Sequence, residues 1–197
     1  MFAQALANGI FQVILFTLIP FIWWVVSARK KENFFFWLGI KKPNVENKKR
    51  WILFMLFSFI ILLGLGELAI YLRGPLAATE SQYKGMGITA IPSVVAYSFI
   101  QTGLSEEILF RGFLLKRLAT KFNFLKGNLI QATIFGIVHI LMVWGQTSFL
   151  AGLMIVIYPM LTAIWLAYIN EKMSDGSILP SWLIHGSLNT ISILMTI

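Results

Sequence analysis

The sequence predicts an all-α fold, a polytopic transmembrane helix bundle of about six spans. Three observations predict it. Of 197 residues, 58% are hydrophobic and only 12% are charged, against about 25% charged in an ordinary soluble domain. The mean hydropathy is +0.79, and the apolar residues fall in blocks near the roughly 20 residues that cross a bilayer. The lysines and arginines gather between those blocks. A soluble core of this length could not hide so much apolar surface, and the excess would aggregate.

The first block runs roughly from Ala5 to Val26 and ends at Arg29, Lys30 and Lys31. It has no basic leader and no small-residue cleavage site, so it is expected to be a retained span and not a signal peptide. A basic loop follows through Lys41, Lys42, Lys48, Lys49 and Arg50. The second block runs from Trp51 to Leu72, and a short polar loop then holds Gly74, Pro75, Glu80 and Lys84. Glu67, near the outer end of the second block, is expected to pair structurally with Arg73. The third helix starts near Ile88, passes Pro92 and reaches about Leu115. A second basic loop carries Lys116, Arg117, Lys121 and Lys126. The fourth block runs from Asn128 to Trp144 and the fifth from Phe149 to Ile169. After a loop with Glu171, Lys172 and Asp175, the sixth helix starts near Leu179, with Pro180 in the first turn, where proline is tolerated.

Six spans bring both strongly basic loops, and the 170–177 loop, to one face. The positive-inside rule places that face in the cytoplasm and both termini outside. The whole chain, 1–197, is expected to be one integral membrane domain, with two helices and their loops in 1–85 and a core in 86–197. The net charge of +8 then belongs to topology and to anionic lipid headgroups, not to nucleic acid. The absence of cysteine excludes disulfides, cysteine-based zinc sites and a cysteine nucleophile.

Some polar residues stand where lipid should forbid them. A charge near the bilayer centre costs about 2.5–3.5 kcal/mol on the insertion scale, yet the third helix holds Glu106, Glu107 and Arg111. Glu107 and Arg111 are four apart and can pair on one face; a purely structural ion pair would explain them but not Glu106. Both histidines of the chain, His139 and His185, lie in apolar blocks, and Asn189 shares a face with His185. At about 1.5 Å per residue, Glu106 and His139 sit roughly 18 Å from the basic face and His185 roughly 10 Å. They can meet only around a small polar cavity inside the bundle.

Such a set suits hydrolysis. Glutamate can take a proton from water, histidine can orient that water or protonate a leaving amine, and histidine and asparagine can hold an oxyanion. An aspartyl pair is excluded because Asp175 is the single aspartate. A His-Glu-x-x-His zinc motif is absent, and so is a Gly-x-Ser-Gly signature, because Leu188 follows Ser187. Glu106, His139 and His185 could instead bind a divalent metal such as zinc as a two-histidine, one-carboxylate set. Two other readings stay open: a non-catalytic immunity or peptide-binding protein, and a transporter that relays protons through the carboxylate and histidines.

The polar residues form three motifs in order, each on its own apolar segment: Glu106-Glu107-x-x-x-Arg111, Phe135-x-x-x-His139 and His185-x-x-x-Asn189. Over roughly residues 93–195 the chain resembles the CAAX-protease and bacteriocin-processing (CPBP, or Abi) family of intramembrane proteases, which includes the type II CAAX prenyl endopeptidases. The resemblance implies an all-helical fold with a catalytic site inside the bundle, opening toward the cytoplasm, in a bacterial cell membrane. It implies that Glu106 activates water with help from His139, that His185 and Asn189 form the oxyanion site, and that Glu107 and Arg111 support them. The two glutamates could exchange roles, and a glutamate mechanism without metal is preferred over the metalloprotease reading. The implied substrate is a membrane-associated protein or peptide, in CAAX-type processing, bacteriocin maturation or self-immunity.

Overall fold

The computed structural model describes residues 1–73, 82–145 and 147–195. The expected loop residues Gly74, Pro75 and Glu80, and the side chain of Arg73 that was to pair with Glu67, lie outside the described residues. Seven helices follow in order: α1 (Phe2–Ser27), α2 (Phe34–Leu38), α3 (Lys48–Arg73), α4 (Gly87–Phe122), α5 (Phe124–Leu141), α6 (Phe149–Met173) and α7 (Leu179–Leu194). Among the described residues there is no strand. In lipid an open sheet edge would leave backbone groups unpaired, whereas a helix pairs its own.

Five of these helices, α1, α3, α4, α5 and α6, are long and apolar enough to cross a membrane. The sixth expected span, α7, has 16 residues, which gives about 24 Å against a hydrocarbon core about 30 Å thick. Its start at Leu179 is where the sequence places it. It begins inside the bundle, below a turn in which Ser174, Ser177 and Ile178 are fully buried.

The two basic stretches are more ordered than a loop. Within the first, five consecutive apolar residues form α2, too few to span. The Asn33 side chain caps its start, accepting from the Phe35 N–H at 3.0 Å. Gly39, at φ +88°, ends it in a conformation that suits glycine. Trp37 and Leu38 are buried while Phe35 and Phe36 are exposed, so α2 turns one side into the bundle and the other outward. In the second stretch α4 continues helically through Lys116 to Phe122. Asn123 then turns the chain at φ 113° and caps α5, its side chain accepting from the Lys126 N–H at 3.0 Å.

Several bonds tie the basic face together. Lys116 Nζ donates to Glu171 Oε1 at 2.6 Å and to the Gly176 carbonyl at 2.8 Å. The Ile178 N–H donates to the Gly39 carbonyl at 2.9 Å, and Ser177 Oγ to the Lys41 carbonyl at 2.5 Å. Trp51 Nε1 donates to Ser174 Oγ at 2.9 Å.

At the centre stands α4, packed against α1, α5 and α7. It is not a uniform α-helix. Residues Ala96–Leu104 and Glu107–Leu115 form two π-helical stretches, with Ser105 and Glu106 between them. Such stretches are rare and concentrate at functional sites. Toward α1 the packing is partly polar: Gln101 Nε2 donates to Gln12 Oε1 at 3.3 Å and Gln12 Nε2 to Ser105 Oγ at 3.2 Å.

Candidate active site

The basic-face bonds set the relative depth of α4 and α7. Lys116 on α4 reaches the Gly176 carbonyl, so both helices can be measured from that level. Glu107 precedes Lys116 by nine residues (116 − 107) and His185 follows Gly176 by nine (185 − 176). The two side chains meet, so Glu107 and His185 share one depth, inward of that level. The unequal depths expected from the sequence arise from counting α4 from its end, because α4 overshoots the Lys116 level as far as Phe122.

At that depth the two helices join. His185 Nδ1 lies 3.0 Å from Glu107 Oε1. The Glu107 carboxylate is fully buried and also takes the Arg111 guanidinium, Nη1 to Oε1 at 3.3 Å. The Ser181 hydroxyl donates to Glu107 Oε2, and Asn170 Nδ2 donates to Ser181 Oγ at 2.7 Å. Ser181 and Asn170 stand outside the three motifs and carry no sequence signal of their own. A buried carboxylate needs such donors, since unpaired it would be very costly. Arg111, also fully buried, lies with Cζ 4.3 Å from the centroid of the Phe135 ring. The second motif thereby meets the first through its phenylalanine as a cation–π partner.

Glu106 is placed differently. Its Oε2 lies 3.7 Å from His185 Nε2 and has no hydrogen-bond partner among the described residues. The imidazole of His185 thus stands between the two glutamates, anchored to one and facing the other.

His139 Nδ1 lies 2.7 Å from the Phe135 carbonyl. A carbonyl only accepts, so Nδ1 carries the proton and the Nε2 of the neutral ring is an acceptor. Asn189 Nδ2 donates to Thr102 Oγ1 at 3.0 Å. Thr102 Oγ1 in turn donates to the carbonyls of Ser98 at 3.2 Å and Tyr97 at 3.3 Å. With its proton engaged there, the threonine oxygen can only accept from Asn189, which fixes the amide orientation and leaves its second N–H unused by Thr102.

His139, His185 and Asn189 face one cavity of about 240 Å³, together with Phe135 and residues of α3 and α6. Glu106 joins this set through His185, and Glu107 and Arg111 stand behind it. Among the described residues no three His, Asp or Glu side chains are arranged to hold a metal ion. Glu106, His139 and His185 do not converge as ligands. Glu67 is half-buried on α3, its Oε1 without a hydrogen-bond partner among the described residues.

Residues 88–191 match the family described as Type II CAAX prenyl endopeptidase Rce1-like. The match begins at the first turn of α4, takes in all three motifs and covers more than half of the chain. No curated protein and no solved structure gives a significant match. With its apolar helices and its family motifs carried on α4, α5 and α7, the chain is an integral membrane protein that belongs to the Rce1-like family of type II CAAX prenyl endopeptidases.

Proposed function

We propose that the chain is an intramembrane endopeptidase in which Glu106 activates water against a peptide bond of a membrane-associated substrate. The observation that carries this reading is the contrast between the two glutamates. Glu107 is committed to Arg111, His185 and Ser181, whereas Glu106 Oε2 is unbonded beside the cavity-lining His185. A general base needs a free lone pair within reach of water.

In the proposed reaction Glu106 takes a proton from water and the water oxygen attacks the scissile carbonyl carbon. The oxyanion that forms is held by the free N–H of Asn189, and by His185 Nε2 when that ring carries both protons. Collapse breaks the C–N bond, and the proton passes from Glu106 to the leaving amine. His139, accepting at Nε2, orients the attacking water. Glu107 holds the His185 ring in position, and Arg111 balances the charge of Glu107. The basic loops are assigned to the cytoplasmic side by the positive-inside rule. Peptide processing of CAAX type and bacteriocin maturation or self-immunity are the substrate settings this chemistry would serve.

The test compares membranes from cells making the parent chain with membranes from cells making Glu106→Gln at equal level, by mass spectrometry of peptide termini. Termini found only with the parent are expected. Identical termini in both would sink the role of Glu106 and favour a peptide-binding protein.

A further inference from the structure

Glu106 Oε2 faces His185 Nε2 across 3.7 Å and makes no hydrogen bond among the described residues. Its alignment must therefore come from the helices that carry the two residues. Glu107 supplies one tie, through His185 and Ser181. Beside the pair, residues outside the three motifs supply another: Phe99 and Gly103 on α4, Trp182 and Gly186 on α7. Each couple is four residues apart and so shares one face of its helix.

The two faces interlock. Trp182 Nε1 donates to the Phe99 carbonyl at 2.7 Å, inside the first π-helical stretch of α4. The Phe99 ring stands edge-on to the indole, with centroids 5.9 Å apart and planes at 89°, a favoured arrangement for two aromatic rings. A Cβ on Gly186 would stand 2.5 Å from Phe99 Cδ1, so the ring lies directly on the α7 backbone next to His185. A Cβ on Gly103 would stand 3.4 Å from Trp182 Cδ1 and 3.6 Å from the Gly186 Cα, so the two backbones approach closely here. Small residues permit such an approach between membrane helices. Thr102, which accepts from Asn189, adjoins Gly103 in the same stretch.

We propose that Trp182 is a positioning residue of the hydrolytic site. Through the Phe99 carbonyl and ring it holds α4 on α7, with Glu106 opposite His185 and Thr102 opposite Asn189. It acts through these residues and not on the substrate, since Phe99, Trp182 and Gly186 lie outside the lining of the His139–His185–Asn189 cavity. The inference rests on the hydrolase reading for the reaction that is served, but the interlock is a property of the two helices.

The test uses two variants of the full chain. Trp182→Phe keeps an aromatic ring against Phe99 and removes the N–H donor. Gly186→Ala drives a methyl group into the Phe99 ring, and it serves if Trp182→Phe does not fold. Each is compared with the parent in one detergent, with a fluorogenic prenylated CAAX-type peptide as the probe. Amide hydrogen exchange over residues 99–107 is read in parallel by mass spectrometry. The kcat per folded molecule should fall about tenfold in each variant with KM within about twofold, the pattern of an interaction realised in the transition state. Exchange over 99–107 should quicken while α5 keeps the parent's rate. A role in packing alone would lower the melting temperature and leave kcat per folded molecule unchanged; that result, or unchanged exchange, would overturn the proposal. A parent chain that leaves the peptide uncut counts against the hydrolase reading instead, and exchange then decides alone whether Trp182 holds α4 on α7.

Discussion

His185 Nδ1 lies 3.0 Å from Glu107 Oε1, joining α7 to α4 inside the membrane. The contact divides two adjacent glutamates into an anchor and a free carboxylate, and the first prediction follows from that division.

Glu106→Gln should abolish hydrolysis while leaving the melting temperature close to that of the parent, since Glu106 makes no hydrogen bond through Oε2. Glu107→Gln should lower both. It strips the ion partner from a fully buried Arg111, a loss of about 3–5 kcal/mol in soluble proteins. Cleavage rates and thermal unfolding in the same detergent would separate the two. Equal stability loss in both variants would contradict the assignment.

Ser181→Ala should leave Glu107 one donor short and deprive Asn170 of its acceptor. The expected effect is a fall in kcat of about tenfold, equivalent to one hydrogen bond of roughly 1.4 kcal/mol. KM should change little, because neither residue reaches the cavity wall. A rise in KM at constant kcat would mean that Ser181 touches substrate instead.

Thr102→Val keeps the shape of the side chain and removes the acceptor for Asn189. The amide can then turn, and oxyanion stabilisation weakens. The kcat should drop and Thr102→Ser should restore most of it. If serine does no better than valine, the hydroxyl is not what orients Asn189.

Gly39→Ala should destabilise the basic face. The position has φ +88°, and a Cβ there would stand 2.3 Å from the Gly176 carbonyl. Strain and clash together should cost more than about 1 kcal/mol. A lower melting temperature, with residual activity per folded molecule unchanged, is the expected pattern.

Cleavage should survive treatment with a metal chelator, because Glu106, His139 and His185 are not arranged as three ligands. Inhibition by the chelator, reversed by added zinc, would restore the metal-dependent reading.

Much of the bundle was legible from the sequence because lipid imposes one strong rule, an apolar block about 20 residues long for each crossing. The motif residues stood out for the related reason that a charge or histidine in such a block is expensive. What stayed hidden carried no such contrast. Phe34–Leu38 is apolar but too short to register as an element. Ser181, Asn170 and Thr102 are small neutral residues, common in membrane helices, and only their partners show their role. The start of α7 at Leu179 was legible from Pro180, but the burial of the turn before it was not, because hydropathy alone does not report burial.

The two π-helical stretches of α4 carry a consequence for how the chain can change. A π segment is equivalent to an α-helix with one residue inserted. Deleting a single residue between Ala96 and Leu104 would let that stretch relax to α spacing with the later residues nearly in phase, whereas one further inserted residue, not absorbed by a wider turn, would swing everything after it by about 100° around the axis. Glu106 and Glu107 would leave His185, while every apolar block kept nearly its present length. The catalytic orientation of α4 is therefore a matter of phase, and a one-residue insertion ahead of the motif erases activity while leaving a well-inserted membrane protein behind.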